Sequence, residues 1–437
     1  MKNNFIQNNF IYIKNTFFLF SDNISKLILG FGISIFIARH LGPGRFGQIN
    51  YVMSYISIFQ IIVLFGFDNI AIKDLGLCVY PESTIIGTII KFRFVLALII
   101  YFLGLLLFFF IDRSLLLLYI ILALQLFPSA FLILKQWFQI KSLNKFVVIS
   151  SQISLFLTSI GKIVFVISRS SIFVYAIILL VGYIVEIISL YIFFIKKANI
   201  VIMKFNFIYF RALFKNSLPL LVSAFFVVIL MKGSQILIGY MLSPSDLGIY
   251  SIGLTIAEII FFIPTGIITA MYPKISKAKR ENGNTCDLIV KVGGISVFFS
   301  LVFALICTFA MPMFVKIVYG DAYIDAGKIV QICGWVSVFI ALGTNHSCFL
   351  IFENLQKYDM YAAVLGAGIN IILGYSLIKQ FGVNGAAIAF LIAHIFTNYL
   401  FFPFFKDKRS FVLRTRSLFF FLNSKEIFKA VKSLWIR

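Results

Sequence analysis

Two groups of residues in this 437-residue chain have types or spacings that suggest chemistry. The first is GPGRFG at 42–47, which has the Gly-x-Gly-x-x-Gly spacing that holds a dinucleotide's pyrophosphate when it joins a strand to a helix. Asp68 follows about twenty residues later, where such a site places the acidic residue that binds the ribose. The pattern indicates nucleotide binding only after a strand, so the surrounding elements must decide its meaning.

The second group consists of ionisable residues inside strongly apolar stretches. A charge in the middle of a membrane costs several kcal/mol unless it faces a cavity or a partner, so each such residue is a functional candidate. The cations are Lys26, Lys162 and Lys232, with Arg39 at the outer end of its stretch, and the other candidates are Asp22, Glu186, Glu258, His346 and His394.

The composition indicates the solvent in which these residues lie. Hydrophobic residues make up 61% of the chain and charged residues only 12%, with a mean hydropathy of +1.03. Soluble domains have about 45–50% apolar and about 25% charged residues, so this chain needs lipid around it. A spanning helix takes about 20 apolar residues. The sequence predicts twelve spans, at 16–38, 46–68, 92–111, 115–134, 147–167, 172–195, 217–241, 248–272, 293–318, 328–352, 359–378 and 384–405.

These spans change the meaning of GPGRFG. The motif lies between the first and second spans, so its glycines and Pro43 predict a tight turn between two helices and not a dinucleotide site. The basic, polar N-terminus leads straight into the first span without a cleavage site, which predicts that no signal peptide is removed. Most of the 38 Lys and Arg residues lie in the N-terminus, the loops on its side and the C-terminal tail. Basic loops stay in the cytoplasm, so we expect both termini there.

A short repeat indicates how the spans are organised. LGPGRFG at 41–47 and LSPSDLG at 242–248 share Leu-x-Pro-x-x-[Phe/Leu]-Gly, and each joins the first two spans of its half. Six spans in each half make the repeat parallel, as in two-lobed transporters. We therefore predict an all-α membrane protein with a six-helix bundle at 1–195, a cytoplasmic interfacial linker at 196–216 and a second bundle at 217–405. We also predict that a basic amphipathic tail at 406–437 lies on anionic membrane lipids. Its apolar stripe is clearest in NSKEIFKAVKSLWIR at 423–437.

Each intramembrane charge has a structural interpretation beside the functional one. Asp22 and Lys26 are one helical turn apart and can neutralise each other. Lys162 can snorkel to the interface and Arg39 can anchor there. Lys232 lies deeper, which favours a role in a cavity. Glu186 and Glu258 either pair with the lysines or carry a coupling proton, while buried histidines are more often packing residues.

Taken together, several lysines and an arginine in a membrane cavity suit an anion, and phosphate is the anion that such donors bind best. No Ser/His/Asp grouping, Walker sequence or metal-ligand spacing occurs, and none of the five cysteines stands in a CxxC pattern. We therefore expect a transporter and not an enzyme, with no cofactor, no metal and no nucleic acid as partner.

Three stretches resemble polysaccharide flippases of the Wzx type, in the multidrug/oligosaccharidyl-lipid/polysaccharide exporter superfamily. They are FSDNISKLILGFGISIFIARHLGPGRFGQINY at 20–51, PLLVSAFFVVILMKGSQILIGYMLSPSDLGIYSIGLTIAEIIFFIPTGIITAMYPKIS at 219–276 and INIILGYSLIKQFGVNGAAIAF at 369–390. Arg39 matches the family's arginine in IAR-x-LG. Where relatives often have Asp in a [KR]-I-D-Q string, this chain has Lys232, Gly233, Ser234 and Gln235, so that carboxylate is missing.

The resemblance implies two six-helix bundles in a V around a central cavity. It also implies transport of an undecaprenyl-diphosphate-linked oligosaccharide repeat unit from the cytoplasmic to the periplasmic leaflet of the bacterial inner membrane, beside other glycan-assembly proteins. The product would become O-antigen, capsule or a similar glycan. We expect Lys26, Arg39, Lys162 and Lys232 to bind the diphosphate, with Asp22, Glu186 and Glu258 as ion-coupling candidates. One alternative is an ion-coupled multidrug cation antiporter of the same superfamily. Another is a membrane glycan polymerase or ligase, which is disfavoured because the predicted outer loops are too short for such an enzyme.

Overall fold

The computed structural model describes the backbone of residues 2–198, 204–281, 283–404 and 408–420, and the side chains in these ranges except 2–24, 26–28 and 273. All regular elements among these residues are helical. The first half contains α1 (Lys2–Leu64), α2 (Phe67–Gly76), α3 (Glu82–Ile111), α4 (Leu116–Ala123), α5 (Leu126–Ser129), α6 (Ile133–Ile140), α7 (Asn144–Ile167) and α8 (Ile172–Ala198). The second contains α9 (Phe207–Met241), α10 (Pro244–Arg280), α11 (Thr285–Phe309), α12 (Met311–Tyr319), α13 (Ala326–Gly334), α14 (Val336–Phe352), α15 (Lys357–Ile395) and α16 (Arg409–Leu418).

Among the residues that the structure describes, ten helical segments are long and apolar enough to cross a membrane. Two of them, Leu29–Gly76 and Lys357–Phe404, have 48 residues each, about twice the length that one crossing needs. Each is interrupted at a glycine with positive φ, Gly42 at 70° and Gly382 at 56°. Each long segment therefore supplies two spans, and the predicted all-α architecture with about twelve spans is confirmed.

The two copies of the repeated motif are both tight turns between helices, as predicted. Gly42 leaves the helix with φ 70° and ψ 168°, a region that glycine alone occupies readily, and Pro43 starts the next helix. In the second copy Ser243 is extended and caps α10, exchanging hydrogen bonds with Asp246 in a capping box, and Pro244 starts the helix. The same turn is thus made once with a glycine and once with a cap.

Several helices are interrupted where the sequence analysis expected continuous spans. The second span breaks at Phe65 and Gly66, both with left-handed φ, between α1 and α2. The predicted span 293–318 is wrong at its end, because α11 stops at Phe309 and a separate helix with Pro312 in its first turn follows. The last span ends in a π-helical turn, Phe396–Leu400.

The chain forms two compact units, Met1–Phe225 and Phe226–Arg437, and the boundary lies inside α9. The N-terminal unit has an aromatic-rich core built from α2, α3, α6, α8 and the start of α9. The core of the C-terminal unit includes residues of α10, α11, α14 and α16. The predicted domain limits remain a prediction, but two segments differ from expectation. Residues 207–216 of the predicted linker are the first turns of α9, and 409–418 of the predicted tail form α16, which packs on α11 and α14. The amphipathic stretch 423–437 lies outside the described residues.

Candidate functional site

The N-terminal unit buries the guanidinium of Arg93 completely. Its Nε and Nη2 donate to the carbonyl oxygen of Leu64 at 3.2 and 2.8 Å, and Nη2 lies 3.0 Å from Asp68 Oδ1. Leu64 ends α1, and a helix end leaves carbonyl oxygens without helical donors. Arg93 therefore caps the broken end of the second span. Asp68, which the dinucleotide pattern made a ribose ligand, is its counter-ion.

A second ion pair joins α6 to α8. Lys135 Nζ lies 2.6 Å from Glu186 Oε1, and the two side chains are 32% and 16% exposed. One turn before Glu186, the Tyr183 hydroxyl accepts a hydrogen bond from Gln60 at 3.1 Å. Glu186 is thus paired, but with a lysine just beyond the predicted span 115–134 and not with Lys162 or Lys232.

Lys162 lies on α7 without an acidic partner among the described residues and is half-buried. The exposed apolar side chains of α7 form one stripe, as expected of a face toward lipid, and at 100° per residue Lys162 lies on roughly the opposite side. The stripe consists of Ile149, Ile153, Phe156, Leu157, Ile160, Ile163, Val164 and Ile167. This placement argues against snorkelling along the lipid face, and a role in substrate binding remains a prediction.

The helix α1 carries three more of the predicted residues, Asp22, Lys26 and Arg39. Arg39 is exposed in the last turn before Gly42 and has no ion pair within the described part of the chain. The side chains of Asp22 and Lys26 lie outside the described residues, so their mutual neutralisation and their functional roles remain predictions.

The C-terminal unit brings Lys232 and Glu258 together. Lys232 Nζ on α9 donates to Glu258 Oε1 on α10 at 2.9 Å. The side chains are 26% and 38% exposed, so both remain accessible while paired. Of the two interpretations of Glu258, the structure shows pairing with a predicted lysine, and the coupling-proton role remains a prediction.

Buried hydrogen bonds hold the backbone on both sides of Lys232. Asn370 on α15 donates from Nδ2 to the carbonyl oxygen of Leu230 at 2.9 Å and accepts from the Ser234 hydroxyl at 3.1 Å. Asn370 and Ser234 are fully buried. Leu230 lies two residues before Lys232 and Ser234 two residues after it. The side-chain amide of Asn370 therefore fixes the helical turn that carries the lysine. Asn370 lies in the stretch 369–390 that resembles the Wzx-type flippases, but the sequence alone did not indicate its contact with α9.

Glu258 lies on the partly accessible face of α10. Between Leu247 and Ile268 no residue of α10 is exposed, and the partly accessible ones are Thr255, Glu258, Thr265 and Gly266 together with Ile249, Ile259, Phe262, Ile263 and Ile267. A Cβ at Gly266 would meet nothing within 4 Å, so open space lies beside this face. The partly accessible face of α10 therefore mixes polar and apolar side chains, with Thr255, Glu258 and Gly266 at helical spacing along it.

Both predicted intramembrane histidines lie in a buried network and behave as packing residues. His346 is fully buried, its Nδ1 lies 2.9 Å from the carbonyl oxygen of Leu342, and its Nε2 lies 3.5 Å from the Ser417 hydroxyl of α16. His394 lies 3.3 Å from the amide of Asn398. No relay role is needed to explain either one.

The same network contains a buried arginine that hydropathy does not reveal. Arg414 on α16 is fully buried, and its Nη1 donates to the carbonyl oxygen of Asn398 in the π-helical turn at 2.6 Å. Its guanidinium carbon lies 3.6 Å from the centroid of the Phe402 ring. The helix α16 is therefore an integral part of the C-terminal unit.

Comparisons with known proteins agree with this fold. Residues 12–279 match the family described as polysaccharide biosynthesis protein, and residues 219–376 match the MatE family. The probable flippase AglR of Haloferax volcanii is 31% identical over 170 residues, which cover 36% of this chain and 34% of AglR. An uncharacterized membrane protein of Methanocaldococcus jannaschii, MJ1375, is 27% identical over 150 residues, 34% of each chain. The match thus spans about a third of the length of these curated relatives.

Solved structures share the architecture over nearly the whole chain. The inward closed lipid II flippase MurJ superposes with a TM-score of 0.70 at 15% identity, covering 97% of this chain and 91% of MurJ. An inward-facing multidrug resistance MATE transporter of the MOP superfamily gives 0.65 at 11% identity, covering 93% and 96%. These identities establish the fold alone. Together with the family match, the similarity to a probable flippase indicates a transporter rather than an enzyme. The chain belongs to the family of polysaccharide biosynthesis proteins.

Proposed function

We propose that this chain is a flippase that moves an undecaprenyl-diphosphate-linked oligosaccharide from the cytoplasmic to the periplasmic leaflet by alternating access. Its membership of the polysaccharide biosynthesis family and its similarity to a probable flippase support a lipid-linked glycan as substrate. The same proposal places the protein in the bacterial inner membrane with both termini in the cytoplasm. Its proposed partners are anionic lipids and other glycan-assembly proteins.

The observation that carries the proposal is the accessible amine of Lys232 in the interior of a spanning helix. About nine residues, or roughly 14 Å of helix at 1.5 Å per residue, separate it from the end of α9. An amine at such depth is costly unless it has an anionic partner. Glu258 is its partner in the structure, and both remain accessible. A diphosphate carries more negative charge than a carboxylate and accepts hydrogen bonds from several donors, so it suits this position.

Lys162 adds a second amine, in the N-terminal unit, away from the exposed apolar stripe of its helix. Arg39 and Lys26 complete the set proposed to replace part of the water around the diphosphate. Alternating access would carry the head group across while the lipid tail stays in the bilayer.

A cation antiporter is the second candidate, favoured by the MatE match over 219–376. That function requires carboxylates free to bind a cationic drug or a coupling ion. Glu186 and Glu258 instead each contact a lysine, at 2.6 and 2.9 Å. This pairing favours an anionic substrate.

The test is Lys232→Met in cells that depend on this protein for their surface glycan, with the amount of membrane-inserted protein measured. We expect loss of surface glycan and accumulation of the lipid-linked intermediate, because the amine cannot be replaced by an apolar side chain of similar length. Lys328→Met is a matched control, since Lys328 is also ion-paired, with Asp325, but is 62% exposed.

Two outcomes would contradict the proposal. Unchanged glycan and unchanged intermediates in Lys232→Met would remove the lysine from the site. Sensitivity to lipophilic cations in cells lacking the protein, with normal glycan, would support the antiporter instead.

A further inference from the structure

We propose that Glu258 is an internal competitor for the phosphate site, which holds Lys232 when no substrate is bound and sets a charge threshold that a ligand must exceed. The inference rests on the proposed function, since it takes Lys232 as a phosphate-binding residue. It assigns to Glu258 a role in specificity that neither a fixed structural ion pair nor an ion-coupling carboxylate would have.

The first support is the geometry of the pair. Lys232 and Glu258 meet through one contact of 2.9 Å, and no second cation lies within ion-pair distance of Glu258 among the described residues. An ammonium group has three donors on a flexible stem and imposes no fixed orientation on its acceptor. A single contact of this kind can be exchanged for another oxygen without moving a helix.

The second support is accessibility combined with a rigid base. The side chains are 26% and 38% exposed, so a ligand can reach both. The backbone under Lys232 is held by Asn370 at Leu230 and Ser234, and Gln235 donates to the Ser251 hydroxyl at 3.2 Å. Exchange would therefore occur by movement of the two charged side chains, while the helices stay in register.

The third support is the surface next to Glu258. Glu258 lies on the partly accessible face of α10, with Thr255 one turn before it and Gly266 two turns after it, where a Cβ would meet nothing within 4 Å. The Glu258 side chain is already 38% exposed, so its release from Lys232 does not bury an unpaired charge.

The consequence concerns which ligands bind. A monoester phosphate at neutral pH carries a charge of about −1.5 to −2. Its single phosphate must displace the carboxylate of Glu258 to reach Lys232. A diphosphate has a second phosphate to engage another donor and gains more. Glu258 would therefore weaken binding of monophosphates more than binding of diphosphates, so that a carrier lipid with one phosphate is released in preference to one with two.

The experiment uses the full chain in phosphatidylcholine nanodiscs, with farnesyl diphosphate and farnesyl monophosphate as probes that share one tail. Binding is measured by calorimetry. In the native protein we expect the diphosphate to bind at least about tenfold more tightly. In Glu258→Gln we expect the monophosphate to gain about tenfold in affinity and the diphosphate about threefold, so the preference shrinks.

Controls separate this inference from the proposed function. Glu258→Ala should behave as Glu258→Gln, and Lys232→Met/Glu258→Gln should bind no better than Lys232→Met, because the competitor acts through the lysine. If Lys232→Met weakens binding but Glu258→Gln leaves both affinities and their ratio unchanged, the inference is wrong and the proposed function stands. If Lys232→Met leaves both affinities unchanged, Lys232 does not bind phosphate, and both this inference and the proposed function are wrong.

Discussion

The two units each contain a cation and a carboxylate from different spans, but the pairs are built differently. In the N-terminal unit Arg93 is fully buried and makes two contacts to a backbone carbonyl in addition to the one with Asp68. In the C-terminal unit Lys232 is accessible and makes one contact, with Glu258. One pair is anchored to the main chain, whereas the other connects only side chains.

This difference separates a structural charge from a functional one. The planar guanidinium has donors in a rigid fork, so it can satisfy a helix end and a carboxylate at once and cannot leave either without loss. The ammonium of Lys232 can exchange its single partner. Depth in the membrane alone would have given both cations the same role, and the number of fixed partners distinguishes them.

The comparison predicts its largest effect for Arg93→Met. The change leaves the carbonyl oxygen of Leu64 without its donor and Asp68 without its counter-ion. We expect a loss of about 3 kcal/mol in the free energy of unfolding. This value is at the lower end of the range for breaking a buried ion pair, because the Asp68 side chain is 26% exposed. Thermal unfolding of the purified protein in detergent measures it.

Asp68→Asn serves as the control for that substitution. It keeps both contacts from Arg93 to Leu64 and retains an oxygen as acceptor, so it should cost only about 1 kcal/mol. If Arg93→Met were no more destabilising than Asp68→Asn, capping of the broken helix would not be the reason why this arginine is buried.

Sequence reasoning identified the spans and the intramembrane lysines but not this arginine. Arg93 lies at the start of the predicted span 92–111, where a cation normally anchors at the interface. The helix actually begins at Glu82, so Arg93 is about 16 Å along it at 1.5 Å per residue. Residues 82–91 are less apolar than the remainder, and hydropathy therefore placed the boundary too late.

Two other features were hidden for related reasons. The helix α16 buries Ser410, Leu413, Arg414 and Ser417, at the spacing of one helical face, but only one of the four is apolar. A basic tail and a buried polar face have the same composition, and only tertiary partners distinguish them. The pairing of Lys232 with Glu258 was one of two interpretations, because sequence separation does not show which faces of two spans meet.

A smaller effect is expected for Arg414→Met in the C-terminal unit. Arg414 has no carboxylate within ion-pair distance in the described part of the chain, so its burial carries a desolvation cost that no contacting counter-ion offsets. Methionine removes that cost but leaves the carbonyl oxygen of Asn398 unpaired. We expect a net loss of about 1–2 kcal/mol in the free energy of unfolding.

The same thermal measurement, made beside Arg93→Met, compares the two buried arginines directly. A loss for Arg414→Met as large as that for Arg93→Met would show that contacts to carbonyl oxygens dominate in both units. The carboxylate at Asp68 would then add little to the N-terminal pair.

The smallest effect concerns Glu353, in the loop between α14 and α15. It accepts a hydrogen bond from Lys279 at 2.8 Å and lies 3.3 Å from Arg409, so it ties α10 and α16 to this loop. The hydrogen bond from Lys279 and the nearby positive charges hold the pKa of Glu353 below its usual value. Such a carboxylate stabilises the fold above its unfolded pKa of about 4.3, and the stabilisation is lost as the pH falls through the lower folded pKa.

Glu353→Gln should therefore lower the free energy of unfolding by less than about 1 kcal/mol near neutral pH, as expected of a pair at the protein surface. Thermal unfolding of both proteins from pH 7 to pH 3 should give curves that converge at the acid end, because the native carboxyl is then protonated and resembles the amide. Curves that stay parallel over this range would mean that Glu353 acts through packing and not through its charge. In that case α16 would be held by its buried face alone, with Arg414 and not the surface pair as its main attachment.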